Sequence, residues 1–260
     1  MELVSVYRQV RDGRPVTAPE PTAVRYADFV AAEMEALQGD EDRAYWQSVV
    51  EEHERLTLPD VWGQAPDATG VNRTWVPYRD LEPQLRRLAT ETGVSLKTVM
   101  LSTHLSVLSR ITDVGAFHSG LVTNARPEAQ GAERVAGVYL NPLPFPFRAH
   151  AAGTWGEVLR QVFATELELW PHRRFPMGAM QREFNGGRRL LDVRFSYQDF
   201  RQVDADVIDY AATIDDSPTE FPLASPPAPG SWCSPRRTGT SPPSGLPPWA
   251  GCTGRCSKPW

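Results

Sequence analysis

Side chains able to move a proton are few in this chain, and they are scattered. The five histidines are never adjacent, so no two neighbouring imidazoles offer a base together with a partner to orient it. His53 and His104 fall within helical patterns. His104 sits on an otherwise apolar helix surface, which predicts a core histidine rather than a catalytic one. His118 lies on a predicted strand upstream of Arg126-Pro127-Glu128 and has two readings, a core position or a cleft-facing one. Cys252 and Cys256 are four residues apart but have no nearby histidine or acidic residue, so they make no zinc site. No phosphate-cradling glycine loop, Gly-x-Ser-x-Gly elbow or His-Glu-x-x-His helix occurs. Nucleotide, serine-hydrolase and zincin chemistry therefore have no residues to run on. The informative stretch is Gly120 to Phe147. It reads as a strand, an Asn-Ala-Arg-Pro corner, a polar loop, then Gly137-Val138-Tyr139-Leu140-Asn141 opening a second apolar run.

The elements that must position these residues follow from hydrophobic spacing. Leu3, Val6, Tyr7 and Val10 recur at helical intervals without a preceding cap. Tyr26 to Gln38 reads as a helix stopped by Gly39, with Asp40 capping a third helix that carries Tyr45, Trp46, Val49 and Val50. Pro59 to Gly70 reads as loop. Thr74 to Tyr78 reads as an edge strand, because Pro77 cannot donate to a ladder. Leu81 to Glu91 is a helix ending at Gly93, and the next, after Ser95, is apolar nearly all round and so predicted buried. Phe117–Thr123 and Leu143–Phe147 are predicted strands. Thr154 and Glu157 form a capping box for a helix with Trp155, Val158, Leu159, Val162, Phe163 and Leu169 on its stripe. A short helix near Met177–Phe184 precedes a strand in which Leu191, Val193, Phe195 and Tyr197 alternate with polar residues. Helices and strands interleave, so the class is α/β.

Composition bounds the partners. A net charge of −5 with mixed signs gives no basic stripe to follow a phosphate backbone, so nucleic acid is excluded. No window approaches the roughly 18 apolar residues of a membrane span, and no secretory leader is legible at the N-terminus. The reading is no membrane and a cytoplasmic location. All three cysteines lie in the last 28 residues, which suits a reducing compartment. At about Ala224 the character changes. Acidic residues cease after Glu220, and nine of the 24 prolines lie from Pro226 onward without hydrophobic periodicity. Residues 225–260 are therefore read as a Pro-rich disordered tail, of the kind a reading-frame shift in GC-rich DNA produces.

Four segments, in order, resemble motifs of nonribosomal peptide synthetase condensation domains. Tyr26, Asp28 and Phe29 resemble Tyr-x-Asp-Phe, with Ala32 where the family has Trp. Arg126-Pro127-Glu128 followed by Gly137 to Asn141 resembles the corner and Gly-x-Phe-Val-Asn-Thr strand, with Pro142 for Thr. His172 to Met177, including Pro176, resembles His-Gln-Asp-x-Pro-Phe. Leu191 to Gln198, including Phe195 and Ser196, resembles a strand in the family's distal core. The resemblance covers residues 1–224. It implies an incomplete chloramphenicol acetyltransferase-like lobe, a mixed sheet flanked by helices, preceded by the end of a first lobe. It also implies amide-bond formation between a thioester and an amine held on carrier proteins, whose phosphopantetheine arms enter a tunnel between two lobes. No cofactor is bound directly. The family's His-His-x-x-x-Asp-Gly motif is absent here, so the expectation is a truncated, inactive piece with no catalytic residue of its own. Two alternatives stand beside it: a non-catalytic lobe that binds a carrier protein or a separately encoded N-terminal lobe, and a fragment of a related CoA- or carrier-dependent acyltransferase. Within the resemblance, Asp28 and Asn141 are read as backbone-fixing. His172 either bounds the tunnel or fixes a turn, and Arg126 either anchors a carboxylate in the fold or faces a phosphopantetheine phosphate. A lone lobe is also expected to leave sheet edges unpaired, which favours aggregation.

Overall fold

Two long antiparallel strands organise the protein. The structure, a computed structural model, describes residues 2–17, 21–59, 71–149, 153–197, 207, 221–225, 227–228 and 231–237. β3 (Ala116–Asn124) pairs with β4 (Leu140–Arg148) along its whole length, from Ala116 opposite Arg148 to Asn124 opposite Leu140. Odd-numbered residues of the pair, among them Phe117, Leu121, Leu143, Phe145 and Phe147, are buried in the main core. The other side of β3 takes two short parallel strands in succession, β1 (Glu54–Arg55) and β5 (Val193–Phe195). Beyond β5 come β6 (Leu223–Ser225), β8 (Ser231–Arg237) and, at the far edge, β2 (Val71–Pro77), with β7 (Pro227–Ala228) beside β8. The sheet is mixed, as the α/β reading requires, and Pro77 does end an edge strand.

Helices pack on this sheet in two groups. α3 (Asp40–Glu52) packs with α7 (Met177–Phe184) against β4. α4 (Glu82–Thr92), α5 (Leu96–Leu108) and α6 (Trp155–Leu169) pack together, with α6 touching β4. α5 buries Val99, Met100, Leu101, Leu105 and Leu108 together with Thr98, Ser102 and His104, so most of its circumference faces protein. Ser95 caps it by accepting from the Thr98 amide, and Thr154 and Glu157 form the capping box that opens α6. α1 (Glu2–Arg11) and α2 (Tyr26–Gln38) fall where hydrophobic spacing put them.

Three local readings give way. Gly39, not Asp40, caps α3, and its φ of −73° is ordinary; a single extended residue ends α2 and starts α3, leaving Asp40 as the first helical position. The strand predicted from Leu191 narrows to Val193–Phe195, although Leu191, Val193 and Phe195 are all buried as the alternation requires. Within the segment read as tail, Ser231–Arg237 forms β8, antiparallel to β2. Composition tracks side-chain burial, whereas this pairing is made by main-chain groups along a sheet edge. Most of the loop predicted at Pro59–Gly70, and all of 238–260, lie outside the described residues.

One close approach fixes the centre of the sheet. A Cβ on Gly120 would stand 2.7 Å from the Val193 carbonyl oxygen and 3.1 Å from Leu191 Cδ1. Backbone cannot yield as a side-chain tip can. Gly120→Ala should cost about 2–3 kcal/mol of stability, read as a lowered urea midpoint, and an unchanged midpoint would refute the constraint.

Two buried histidines make stability depend on pH. Burial beside Phe195 pushes His104 down to about 3. His118 is also lowered by burial, although the Leu190 and His53 carbonyl oxygens, 3.1 and 3.0 Å from its two ring nitrogens, favour the protonated ring. Both groups bind protons more weakly folded than unfolded. Their contribution is therefore complete above about pH 6.5 and is lost as pH falls below it, at up to about 1.4 kcal/mol per pH unit for each histidine. Urea midpoints measured from pH 7.5 down to 4.5 should hold to about pH 6.5 and then fall; a flat profile throughout would contradict this.

Candidate functional site

The segments singled out in the sequence meet at one end of the β3–β4 pair. At the start of α2, the Asp28 carboxylate accepts the Arg25 amide at 2.8 Å and the Arg25 guanidinium at 3.3 Å. That amide, and then the guanidinium, hold the Asp28 carboxyl below the usual carboxylate range. Asp28 thus fixes the helix entry. The Tyr26 hydroxyl donates to the Val138 carbonyl at 3.1 Å. The rings of Tyr26, Phe29 and Tyr139 pack in a triangle with centroids 5.0 to 5.5 Å apart. Gly137 is a requirement of that triangle, because a Cβ there would lie 2.3 Å from Tyr26 Cδ2.

Arg126 closes the loop between the strands. Its Nη1 donates to the carbonyls of Ala132 and Val135, and its guanidinium lies 3.9 Å from the Tyr139 ring centroid. Neither reading of Arg126 anticipated this: its partners here are main-chain carbonyls and a ring, not a carboxylate. Glu128, two residues on, reaches across to the next motif. One carboxylate oxygen accepts from Trp170 Nε1 at 3.0 Å and from Arg173 Nη2 at 2.6 Å. Arg173 is buried, its guanidinium 4.1 Å from the Trp170 ring centroid, with Nη1 donating to the Trp170 carbonyl at 2.7 Å.

Asn141, buried on β4, ties that strand to the turn between the Trp170–His172 3-10 helix and α7. Its amide nitrogen donates to the carbonyls of Arg173 (3.0 Å) and Phe175 (2.8 Å), and its oxygen accepts the Met177 amide at 3.2 Å. Pro176 occupies the N-cap of α7 and has no side-chain acceptor, so Asn141 supplies the cap from a different element. His172 fixes the turn from the other side. Its Nδ1 lies 2.6 Å from Asp42 Oδ1, and its ring stacks on Tyr45 at 4.2 Å. Its carbonyl accepts from Trp46 Nε1 at 3.0 Å. The Tyr45 phenol is pushed up to about 12, mainly by burial and then by the Glu168 carboxylate.

The structure therefore gathers Tyr26, Asp28, Phe29, Arg126 and Gly137 into one group. It gathers Asn141, His172 and Pro176 into a second, and the Glu128–Arg173 pair bridges the two. Phe195 and Ser196 stand apart, buried on and just after β5. A family model for the condensation domain matches residues 1–221. The chain belongs to the condensation-domain family. AMB antimetabolite synthetase AmbE of Pseudomonas aeruginosa is 33% identical over 205 residues, 78% of this chain and 9% of that protein. Bacitracin synthase 3 of Bacillus licheniformis is 27% identical over 172 residues, 64% of this chain and 3% of that one. In fold it is similar to the first condensation domain of the calcium-dependent antibiotic synthetase, at a TM-score of 0.70 and 21% identity, covering 92% of this chain and 55% of that one. The condensation domain of the monacolin K polyketide synthase MokA gives 0.71 at 18% identity, with 93% and 61% covered. The chain thus spans little more than half of these solved chains and under a tenth of the synthetases. Among the described residues no helix is long and apolar enough to cross a membrane.

Within a condensation domain this arrangement is a scaffold made of hydrogen-bond donors. The motif side chains spend their polar groups on loop carbonyls and helix ends. Asp42, Tyr45, Glu128 and Arg173 were missed as partners in the sequence. Glu128 and Arg173 carried a signal, one as the third residue of Arg-Pro-Glu and the other within the His172 to Met177 segment. Asn141→Asp turns a donor facing two buried carbonyls into a carboxylate, and should destabilise the protein by about 3 kcal/mol. Wild-type stability in that variant would remove Asn141 from the scaffold.

Proposed function

We propose that these residues form the second-lobe side of a condensation domain that joins a thioester to an amine, both delivered on carrier-protein phosphopantetheine arms. In this reading the lobe supplies tunnel wall and positioning, and most of the rate comes from aligning the two tethered reactants. The proton-handling histidine comes from a His-His-x-x-x-Asp-Gly segment, which these 260 residues do not contain. The observation that carries this reading is the engagement of the histidines that are described. His53 Nδ1 lies 3.2 Å from the Val49 carbonyl, His104 is buried in α5, His118 is buried between the His53 and Leu190 carbonyls, and His172 is held by Asp42 and Tyr45. Each is buried or held by a neighbouring group, and none belongs to a His-His-x-x-x-Asp-Gly segment. The family match ends at residue 221, which supports a boundary near Ala224.

The reading of the chain as a lobe that meets another polypeptide surface has its own support. Tyr26, Val30 and Met34, one turn apart on α2, are each more than a third exposed, as are Val138 and Leu140 beside them. On α1, Leu3 and Val10 are more exposed than any of the three α2 residues. Surface of this kind fits a partner face, whether a first lobe or a carrier protein.

Amide formation measured with donor- and acceptor-loaded carrier proteins tests the assignment. The 260 residues alone should give no product above the no-enzyme control. Co-expression with a first lobe carrying His-His-x-x-x-Asp-Gly should co-purify and restore turnover. Product from the 260 residues alone would overturn the assignment of the missing base.

A further inference from the structure

Among the described residues β4 pairs with β3 alone, so its other side is a sheet edge. Three main-chain bonds establish which β4 residues face that edge. The Ala125 amide donates to the Tyr139 carbonyl at 2.8 Å, and the Ala149 amide to the Gly115 carbonyl at 2.9 Å. Odd-numbered residues therefore join the two strands. The Leu56 amide of the β1 side donates to the His118 carbonyl at 3.2 Å, so His118 and its opposite residue, Pro146, turn their polar groups away from each other. By the alternation of an antiparallel ladder, Leu140, Pro142, Pro144, Pro146 and Arg148 direct theirs outward.

Three successive outward positions are therefore proline, and none has an N–H to offer. At the two ends of this stretch, the outward carbonyls meet side-chain donors instead of a strand. Tyr26 Oη donates to Val138 at 3.1 Å, and Gln161 Nε2 of α6 donates to Arg148 at 3.2 Å. We propose that the outer edge of β4 is proofed against strand addition by Pro142, Pro144 and Pro146, with Tyr26 and Gln161 closing its ends. Between Leu140 and Arg148 an incoming antiparallel strand would find carbonyls only. Over these three positions it would lose three of the six ladder bonds, and the proline rings would occupy the space the missing hydrogens leave. The aggregation expected from unpaired edges is thus blocked here by main-chain chemistry, without charged side chains. This holds whatever reaction the domain serves.

Restoring the amides tests the proposal. Pro142, Pro144 and Pro146 are replaced together by Val, and Pro146→Val is made alone as a milder variant at a half-buried position. Self-association is followed by sedimentation equilibrium, and exchange of the new amides by mass spectrometry. The triple variant should self-associate about a hundredfold more tightly than the parent, and Pro146→Val about fivefold more tightly. The new amides should exchange freely in dilute protein and become protected as concentration rises. Parent-like association in a variant that keeps its cooperative unfolding would overturn the proposal. So would protection of the new amides in the dilute monomer, since the edge would then already be covered. If the triple variant does not fold, Pro146→Val carries the same two tests.

Discussion

Buried and half-buried carbonyl oxygens outside regular ladders need donors, and this demand shapes the motif end of the molecule. The loop from Ala125 to Tyr139 and the turn from Trp170 to Met177 make few ladder bonds of their own. Arg126 serves Ala132 and Val135, Asn141 serves Arg173 and Phe175, and Trp46 serves His172. Each donor comes from a different element from its acceptor, or from the far end of the same loop. Removing one leaves an acceptor in a place water reaches poorly, which costs more than the net worth of the bond. That asymmetry accounts for residue types that look chemical yet do structural work.

How much of this was legible depended on sequence distance. The bounds of α2, the capping box of α6 and the burial of Val193 and Phe195 followed from spacing alone, because each is decided within one or two turns of chain. Asp28 belongs with them, bonding an amide three residues away. His172 and Asp42 lie 130 positions apart, and Glu128 and Arg173 lie 45 apart. No periodicity encodes such pairs; only the fold brings them together. β1 was invisible for a different reason: two residues are too short for any alternation to register, and its place is set by the Leu56 and His118 main-chain bond. Arg126 had two readings, and neither was the loop-closing role it has, because carbonyl acceptors leave no mark on side-chain type.

The same distinction separates what this lobe holds from what the reaction needs. A general base must reach a proton in a bound substrate and titrate near the working pH. His104 and His118 fail the second condition, since burial lowers both. His172 has its Nδ1 on a carboxylate and its ring face covered by Tyr45. Under the proposed function, the engagement of these imidazoles fits a lobe whose contribution is shape. The exposed stripe on α2 adjoins Val138 through the Tyr26 hydroxyl. The helix that anchors the Arg-Pro-Glu loop is therefore also the one that offers an apolar face, and a partner seated there would bear directly on the loop's position.

Proline illustrates how one residue type is misread when only local propensity is considered. In the region after Ala224 its frequency argues against a packed core, and along β4 local propensity alone would count the same residue against a strand. Yet at every second position of an edge strand it removes only donors that point away from the partner, while the alternate residues keep theirs and bury Leu143, Phe145 and Phe147. The test is parity: prolines at positions 142, 144 and 146 are compatible with the β3 ladder, whereas a single proline at 143 or 145 would break it. Composition counts prolines and cannot see parity. The register of β3 against β4 supplies it, and turns an apparent strand-breaker into the feature that lets a long strand end a sheet.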